Sequence, residues 1–488
     1  MLKNIAIETV AKLGAALLAL LALAGCVVGP SYEGPPATEL HAFRQASAAA
    51  TASATPAAPD KPVALDVWWM GFNDPQLARI VERALSQNLD LAAALARVDQ
   101  ARAAARGAGA RLWPEGTLDS SVNQLHQSLL GPIGAIAHDL PGYERNQTLY
   151  DASAGARWEL DLFGGLKRGA EAARDEAQAA ESEHLALKVS VVAEAADAYF
   201  QVRGDQARLV IAQSQVDNDA HLLELIRLRL AKGASSDKEV AQAQALLSQA
   251  RATLPPLTTA LEAQLNRLDV LMGAQPGTYA GELAQPAAIP LTPAIPADQN
   301  ASDLLRRRPD IIAAERRLAA SNARIGVAVS EYYPKVSLAG VLGFDSLSAG
   351  RVFSAASFQP QATAGLRWRL FDFGRVDAEV AQANSARAQA LLAYRQSVLR
   401  ATEDVENAFT SLAQLAIEIH ELGEEVDALR RARDTSQELY LAGASSLTDV
   451  LDAERESLVA QDELARARAD SDRSAVASFR ALGGGWKL

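Results

Sequence analysis

From Leu391 onward the chain sets apolar residues three and four apart without a break: Leu391, Tyr394, Val398, Ala401, Val405, Ala408, Leu412, Leu415, Ile419, Leu422, Val426 and Leu429. Alternating steps of three and four make a coiled-coil seam, because that spacing keeps one helix face turned to a partner. The pattern predicts one helix from about Arg375 to Tyr440, on the order of 100 Å long at about 1.5 Å per residue. A rougher seam, Val191, Ala195, Ala198, Val202, Leu209 and Val216, predicts a rod of similar length from Leu166 to Ala231. Elements this long exceed what an ordinary globular core needs.

Two short stretches change to a period of two. In Asp151–Leu160, Ala152, Ala154, Ala156, Trp158 and Leu160 alternate with polar residues that include Arg157 and Glu159. Thr363–Leu370 repeats this with Ala364, Leu366, Trp368 and Leu370 against Thr363, Arg367 and Arg369. Weaker partners precede them at 117–124 and 336–345. Alternation of this length with an aromatic near one end fits a membrane-spanning β-strand. It equally fits an amphipathic hairpin on a soluble core. Four strands cannot close a barrel, since an open edge in lipid leaves backbone groups unpaired at several kcal/mol each. Strands placed in a membrane therefore require several copies, and three copies supply twelve.

The two patterns belong to a duplication. Gly233, Ser235, Ser236 and Val240 recur 210 positions later as Gly443, Ser445, Ser446 and Val450. The same offset joins Trp158 to Trp368, Gly164 to Gly374, Ala198 to Ala408 and Gly273 to Gly483, and rises to 220 at Pro114 and Pro334. Each half reads helix, strand, strand, helix, helix. The first repeat spans 66–273, with helices in 75–113, strands in 114–160 and helices in 165–273. Asn73 or Asp74 caps its first helix ahead of Pro75, and Pro255-Pro256 predicts a kink. A proline-rich connector, 274–300, leads to the second repeat, 301–483, with a helix over 301–333, strands in 334–372 and helices in 375–482. Residues 484–488 end the chain. The fold class is mainly α with a smaller β part, internally duplicated.

Composition narrows the setting. A net charge of -12 with no basic stripe argues against nucleic acid. The single cysteine, Cys26, excludes an intramolecular disulfide framework. It follows a basic start and an apolar run too short to span a membrane, so 1–25 reads as a cleaved signal peptide. Leu23-Ala24-Gly25-Cys26 looks like a bacterial lipobox, which makes Cys26 an acylation site. Val27 after it favours the outer membrane. Residues 26–65, rich in Ala, Ser, Thr and Pro, read as an extended or poorly ordered tether.

The run Asp303-Leu-Leu-Arg-Arg-Arg-Pro-Asp-Ile-Ile-Ala-Ala-Glu315, with Asn322-Ala-Arg-Ile-Gly326 and Tyr333-Pro334, resembles the signature of the NodT branch of TolC/OprM-like outer-membrane efflux lipoproteins. Trp68-Trp69 with Phe72-Asn73-Asp74-Pro75, Trp368 with Leu370-Phe371-Asp372, and Ala481-Leu-Gly-Gly-Gly-Trp486 extend the resemblance from the lipobox to the end of the chain. The resemblance implies a homotrimer with a twelve-stranded outer-membrane β-barrel and a long periplasmic α-helical barrel. It further implies the exit duct of a tripartite pump, joined by a periplasmic adaptor to an inner-membrane transporter, usually proton-driven. Exported compounds would be drugs or other small molecules. A type I secretion duct, a metal-efflux duct and a lipid-anchored coiled-coil scaffold are the alternatives.

Carried over position by position, the family's periplasmic gate falls on Asp449 and Asp452, with Tyr440 as a constricting aromatic and Glu239 as the first-half carboxylate. Ser236-Asp-Lys-Glu239 and Ser446-Leu-Thr-Asp449 also fit a helix capping box, and both readings stand at this point. Where the family places a closing Arg, this chain has Ser445 and Ser446, which leaves Lys232 or Lys238 as substitutes. Gly233, Ser235, Ser236, Gly443, Ser445 and Ser446 form tips where an adaptor would dock. Arg157, Glu159, Arg367 and Arg369 would line the barrel lumen. The six histidines show no metal spacing, and no nucleophile elbow or phosphate loop is present, so neither an enzyme nor a cofactor beyond the lipid on Cys26 is expected.

Overall fold

A computed structural model describes residues 27–35, 41–53, 64–290, 292–296 and 301–487. The signal peptide and Cys26 lie outside the described residues. The helices are α1 (Ala46–Ser53), α2 (Pro75–Gln87), α3 (Leu89–Ala110), α4 (Pro132–Ala137), α5 (Gly165–Ala231), α6 (Asp237–Leu271), α7 (Ala301–Arg307), α8 (Pro309–Ser330), α9 (Arg375–Leu441) and α10 (Leu447–Ala481). The strands are β1 (Glu115–His126), β2 (Asn146–Leu160), β3 (Lys335–Ser346) and β4 (Phe358–Arg367). The rods α5 and α9 each run 67 residues, and the return helices α6 and α10 each run 35. Equal lengths in the two halves are what a duplication produces.

The chain forms two compact units. One gathers residues 27–35 with Asp99–Ala179 and Ala314–Ala393, and holds the strands. They form a single antiparallel sheet in the order β1-β2-β3-β4. Register places Trp158 opposite Leu338, Ala154 opposite both Leu118 and Leu342, and Leu366 opposite Val336, so one face is predominantly apolar. Nothing among the described residues covers that face: Leu118 is 84% exposed and Leu366 68%. β1 and β4 are the edges, each with one unpaired side. The duplication reaches individual bonds, since Trp158 Nε1 donates to the Leu112 carbonyl at 3.0 Å and Trp368 Nε1 to the Tyr332 carbonyl at 2.9 Å. β4 stops at Arg367, short of Leu370, because its partner β3 begins at Lys335, opposite Arg367, and a turn from Leu370 N to Trp368 O diverts the backbone beyond it.

Residues 27–32, expected as part of a loose tether, are pinned in the same unit. Val28 N donates to Phe163 O at 3.1 Å, Asn322 Nδ2 to Pro30 O at 3.0 Å, and Tyr32 Oη to Glu315 Oε1 at 2.7 Å. Arg168 reaches the Val28 and Gly29 carbonyls at 3.3 and 3.4 Å. Gly29, at φ +86°, lies so close to Gly326 that a Cβ there would meet the Gly326 Cα at 2.4 Å. Only paired glycines permit this approach, and composition alone hid it.

The other unit comprises Ala37–Val98, Ala180–Ala313 and Tyr394–Leu488. Its main core joins Trp68, Phe72, Tyr199, Phe200, Phe409 and Phe479, with the Trp68 ring stacked on Phe479 at 5.1 Å. Asp74 caps α2, accepting from Gln76 N at 2.8 Å and Leu77 N at 3.2 Å, with Pro75 at the first helical position. Two boundaries depart from expectation. The helix foreseen over 301–333 is α7 and α8, broken at Arg308, because Pro309 suits a first helical position and restrains the residue before it. In contrast, α6 continues as one helix through Pro255 and Pro256.

Candidate functional site

The second unit carries both hairpin tips. Each rod ends in a Schellman motif: Gly233 (φ +73°) donates to Leu230 O at 2.8 Å and Ala234 to Arg229 O at 2.8 Å. Gly443 (φ +77°) donates to Tyr440 O at 3.0 Å and Ala444 to Leu439 O at 2.9 Å. Glycine is required because the left-handed conformation strains residues with a Cβ. The next helix starts four residues after each glycine, capped by Ser236 or Ser446. Both capping boxes are complete.

The capping boxes decide what the two N3 carboxylates do in this chain. Glu239 Oε2 accepts from Ser235 Oγ at 2.6 Å and Ser236 N at 2.8 Å. Asp449 Oδ2 accepts from Ser445 Oγ at 2.8 Å and Ser446 N at 3.0 Å. The serine hydroxyl donors hold both carboxyls below their ordinary pKa, with the backbone donors adding to the effect. Ser445 thus serves as a local donor to Asp449. Asp452 lies one turn on, exposed, 3.4 Å from Arg455. Lys232 and Lys238 form no ion pair among the described residues.

Tyr440 does not project as a free constricting ring. It is 4% exposed and packs with Ile226, Leu223, Leu247, Leu447 and Val450. The Arg229 guanidinium lies 4.6 Å over its ring and donates to its carbonyl at 3.5 Å. Arg229 belongs to the first repeat and Tyr440 to the second, so this cation–π contact joins the two hairpins. Sequence reasoning missed Arg229 because the matching position, Leu439, carries no charge. Also between the repeats, Asp462 on α10 takes a two-pronged contact from Arg208 on α5 at 2.8 and 3.0 Å, and Arg473 Nε donates to Asp197 at 2.8 Å.

In the strand unit, Arg157, Glu159 and Arg367 share the polar face and border a cavity of about 860 Å³ with Arg111, Glu115 and Lys335. Arg157 is 4.0 Å from Glu115, and Arg367 stands directly across from Lys335. Arg369 lies beyond the strand, bound to Glu331 at 2.8 Å and Glu379 at 3.0 Å. No helix among the described residues is long and apolar enough to cross a membrane. Among those residues, no group of three or more His, Cys, Asp or Glu is placed to hold a metal ion.

The chain is thus an internally duplicated, mainly helical protein with two tip turns and a four-stranded sheet open at both edges. The outer membrane efflux protein family model matches residues 80–274 and 300–484, and the chain belongs to that family. The pyoverdine export outer membrane protein OpmQ of Pseudomonas putida is 33% identical over 90% of this chain and 91% of its own. Nodulation protein T of Rhizobium leguminosarum bv. trifolii is 32% identical over 92% of each. Among solved structures, the outer-membrane channel OprN superposes with a TM-score of 0.84 at 34% identity, covering 94% of this chain and all of that one. The protein is an outer-membrane efflux component.

Proposed function

We propose that three copies of this chain close their sheets into a twelve-stranded barrel and form the exit duct of a tripartite pump. The observation that carries this reading is the sheet itself: an uncovered apolar face and two unpaired edges. In lipid both edges must be paired, and identical neighbours pair β4 with β1 in turn. The polar face then turns inward, which makes Arg157, Glu159 and Arg367 lumen residues, with Arg369 just beyond the strand. Acyl chains on Cys26 add an anchor in the outer membrane. The tip turns at Gly233, Ser235, Ser236, Gly443, Ser445 and Ser446 are the docking points for a periplasmic adaptor, which links the duct to a proton-driven inner-membrane transporter. Asp452 and the capping carboxylates Glu239 and Asp449 ring the tip opening.

OpmQ, whose name assigns it to pyoverdine export, favours small-molecule cargo over secreted proteins. Purified protein in detergent is expected to run as a heat-modifiable trimer and to give discrete conductance steps in planar bilayers. A monomer without conductance overturns the reading. Cross-linking in intact cells, followed by isolation of the complex, identifies the transporter and so separates drug, metal and type I secretion roles.

A further inference from the structure

One contact between the repeats holds two buried carboxyls. Asp219 on α5 is 1% exposed and Glu454 on α10 is 6% exposed. The two side chains lie within hydrogen-bonding range of each other. Gln215 Nε2 donates to Asp219 Oδ1 at 2.8 Å, but Asp219 Oδ2 and Glu454 Oε2 are buried with no donor among the described residues. Two facing acceptors of this kind are satisfied together when one carboxyl keeps its proton and donates it to the other. Ionising both instead leaves two like charges in contact away from water.

The surroundings supply little relief. From α9, Arg433 is the cation acting on Glu454, and its guanidinium is already bound to Asp434 at 2.7 Å. The other ionisable side chains nearby, His221, Glu224, Asp452, Arg455 and Glu456, are exposed. The duplication does not copy the pair: the matching positions are Leu429 and Gln244, and Gln244 Oε1 accepts from Arg227 at 3.0 Å. The pair is thus peculiar to the α5–α10 contact, and lies near the tip cluster that buries Tyr440, Leu447 and Val450.

We propose that Asp219 and Glu454 form a proton-operated latch between the two hairpins, closed while at least one of the two carboxyls keeps its proton and loosened when both have ionised. Burial pushes Asp219 up to about 6 and Glu454 up to about 7, and the Asp219 charge adds to the rise at Glu454. Both values are raised above those of the free side chains. The contact is therefore at full strength below about pH 4 and weakens as pH rises through 6 and 7. Acid holds the tip together, and mild alkali releases it. The latch lies within one chain, and only its effect on conduction rests on the proposed duct.

Hydrogen exchange at the amides of 447–456, measured on the full protein in detergent and corrected for intrinsic rates, tests this. In the wild type, opening is expected to increase about tenfold between pH 5.5 and 8, below the ceiling that shifts of about two pH units allow. Glu454→Gln and Asp219→Asn, nearly the same shape and unable to ionise, are each expected to abolish that increase. Persistence of the same pH dependence in both variants, or its absence in the wild type, overturns the latch. Trimer retention on gels confirms that each variant has assembled, and either variant suffices. Conductance recorded in parallel separates the two proposals: pH-dependent exchange with unresponsive conductance upholds the latch and removes this contact from control of the duct.

Discussion

The two tips share a backbone and differ in what lies beneath it. Both have the glycine turn, the paired serines and the capping box. At the start of α10, Leu447 is 2% exposed and Val450 fully buried, whereas at the start of α6 the matching residues are exposed Asp237 and half-buried Val240. Tyr440 replaces Leu230, and its ring receives the first repeat's Arg229. The second tip is thus tied down by side chains and the first is held mainly by its own backbone. After duplication, the turn geometry was kept while the packing specialised.

Removing the buried wedge challenges this asymmetry most strongly. Leu447→Ala is expected to weaken local protection of α10 by about 2–5 kcal/mol, while Asp237→Ala changes α6 by at most about 0.5 kcal/mol. Equal losses by hydrogen exchange would show the tips to be alike. A smaller effect is expected from making the second tip resemble the first: Tyr440→Leu forfeits about 0.5–2 kcal/mol of cation–π attraction. Tyr440→Phe keeps that attraction and deletes a buried hydroxyl that has no partner among the described residues, so it is expected to be neutral or stabilising. The caps should show no asymmetry. Ser236→Ala and Ser446→Ala are each expected to cost about 1 kcal/mol, measured as the opening free energy of the first helical turn.

The smallest effect is in acid. Glu239 and Asp449 both have depressed pKa values, so their caps are intact above about pH 4 and lost as pH falls below it. Side-chain NMR titration of the two carboxyls checks this, and Ser445→Ala should raise only the Asp449 midpoint. The sign is opposite to that of Asp219 and Glu454, so the same tip has caps favoured by base and an interhelical contact favoured by acid.

What depends on neighbours along the chain was legible in the sequence. The seam from Leu391 to Leu429 announced α9, the 210-residue offset announced its twin, and alternation around Trp158 and Trp368 announced the sheet. The break at Arg308 was also visible in principle, since Pro309 followed by Asp310 is a helix start. What was hidden depends on which helix of one repeat meets which of the other. Arg229 over Tyr440 and Asp219 against Glu454 join positions more than 200 residues apart that carry no shared motif. The docking of residues 27–32 was hidden for a related reason: Gly29 and Gly326 matter only as a pair.

That docked segment fixes where Val27 sits in the strand unit. Val27 rests on Gly164, where a Cβ would come within 2.8 Å of its side chain, between the end of β2 and the start of α5. Inserting a residue between Val28 and Pro30 should therefore lift Val27 off Gly164 without touching the sheet.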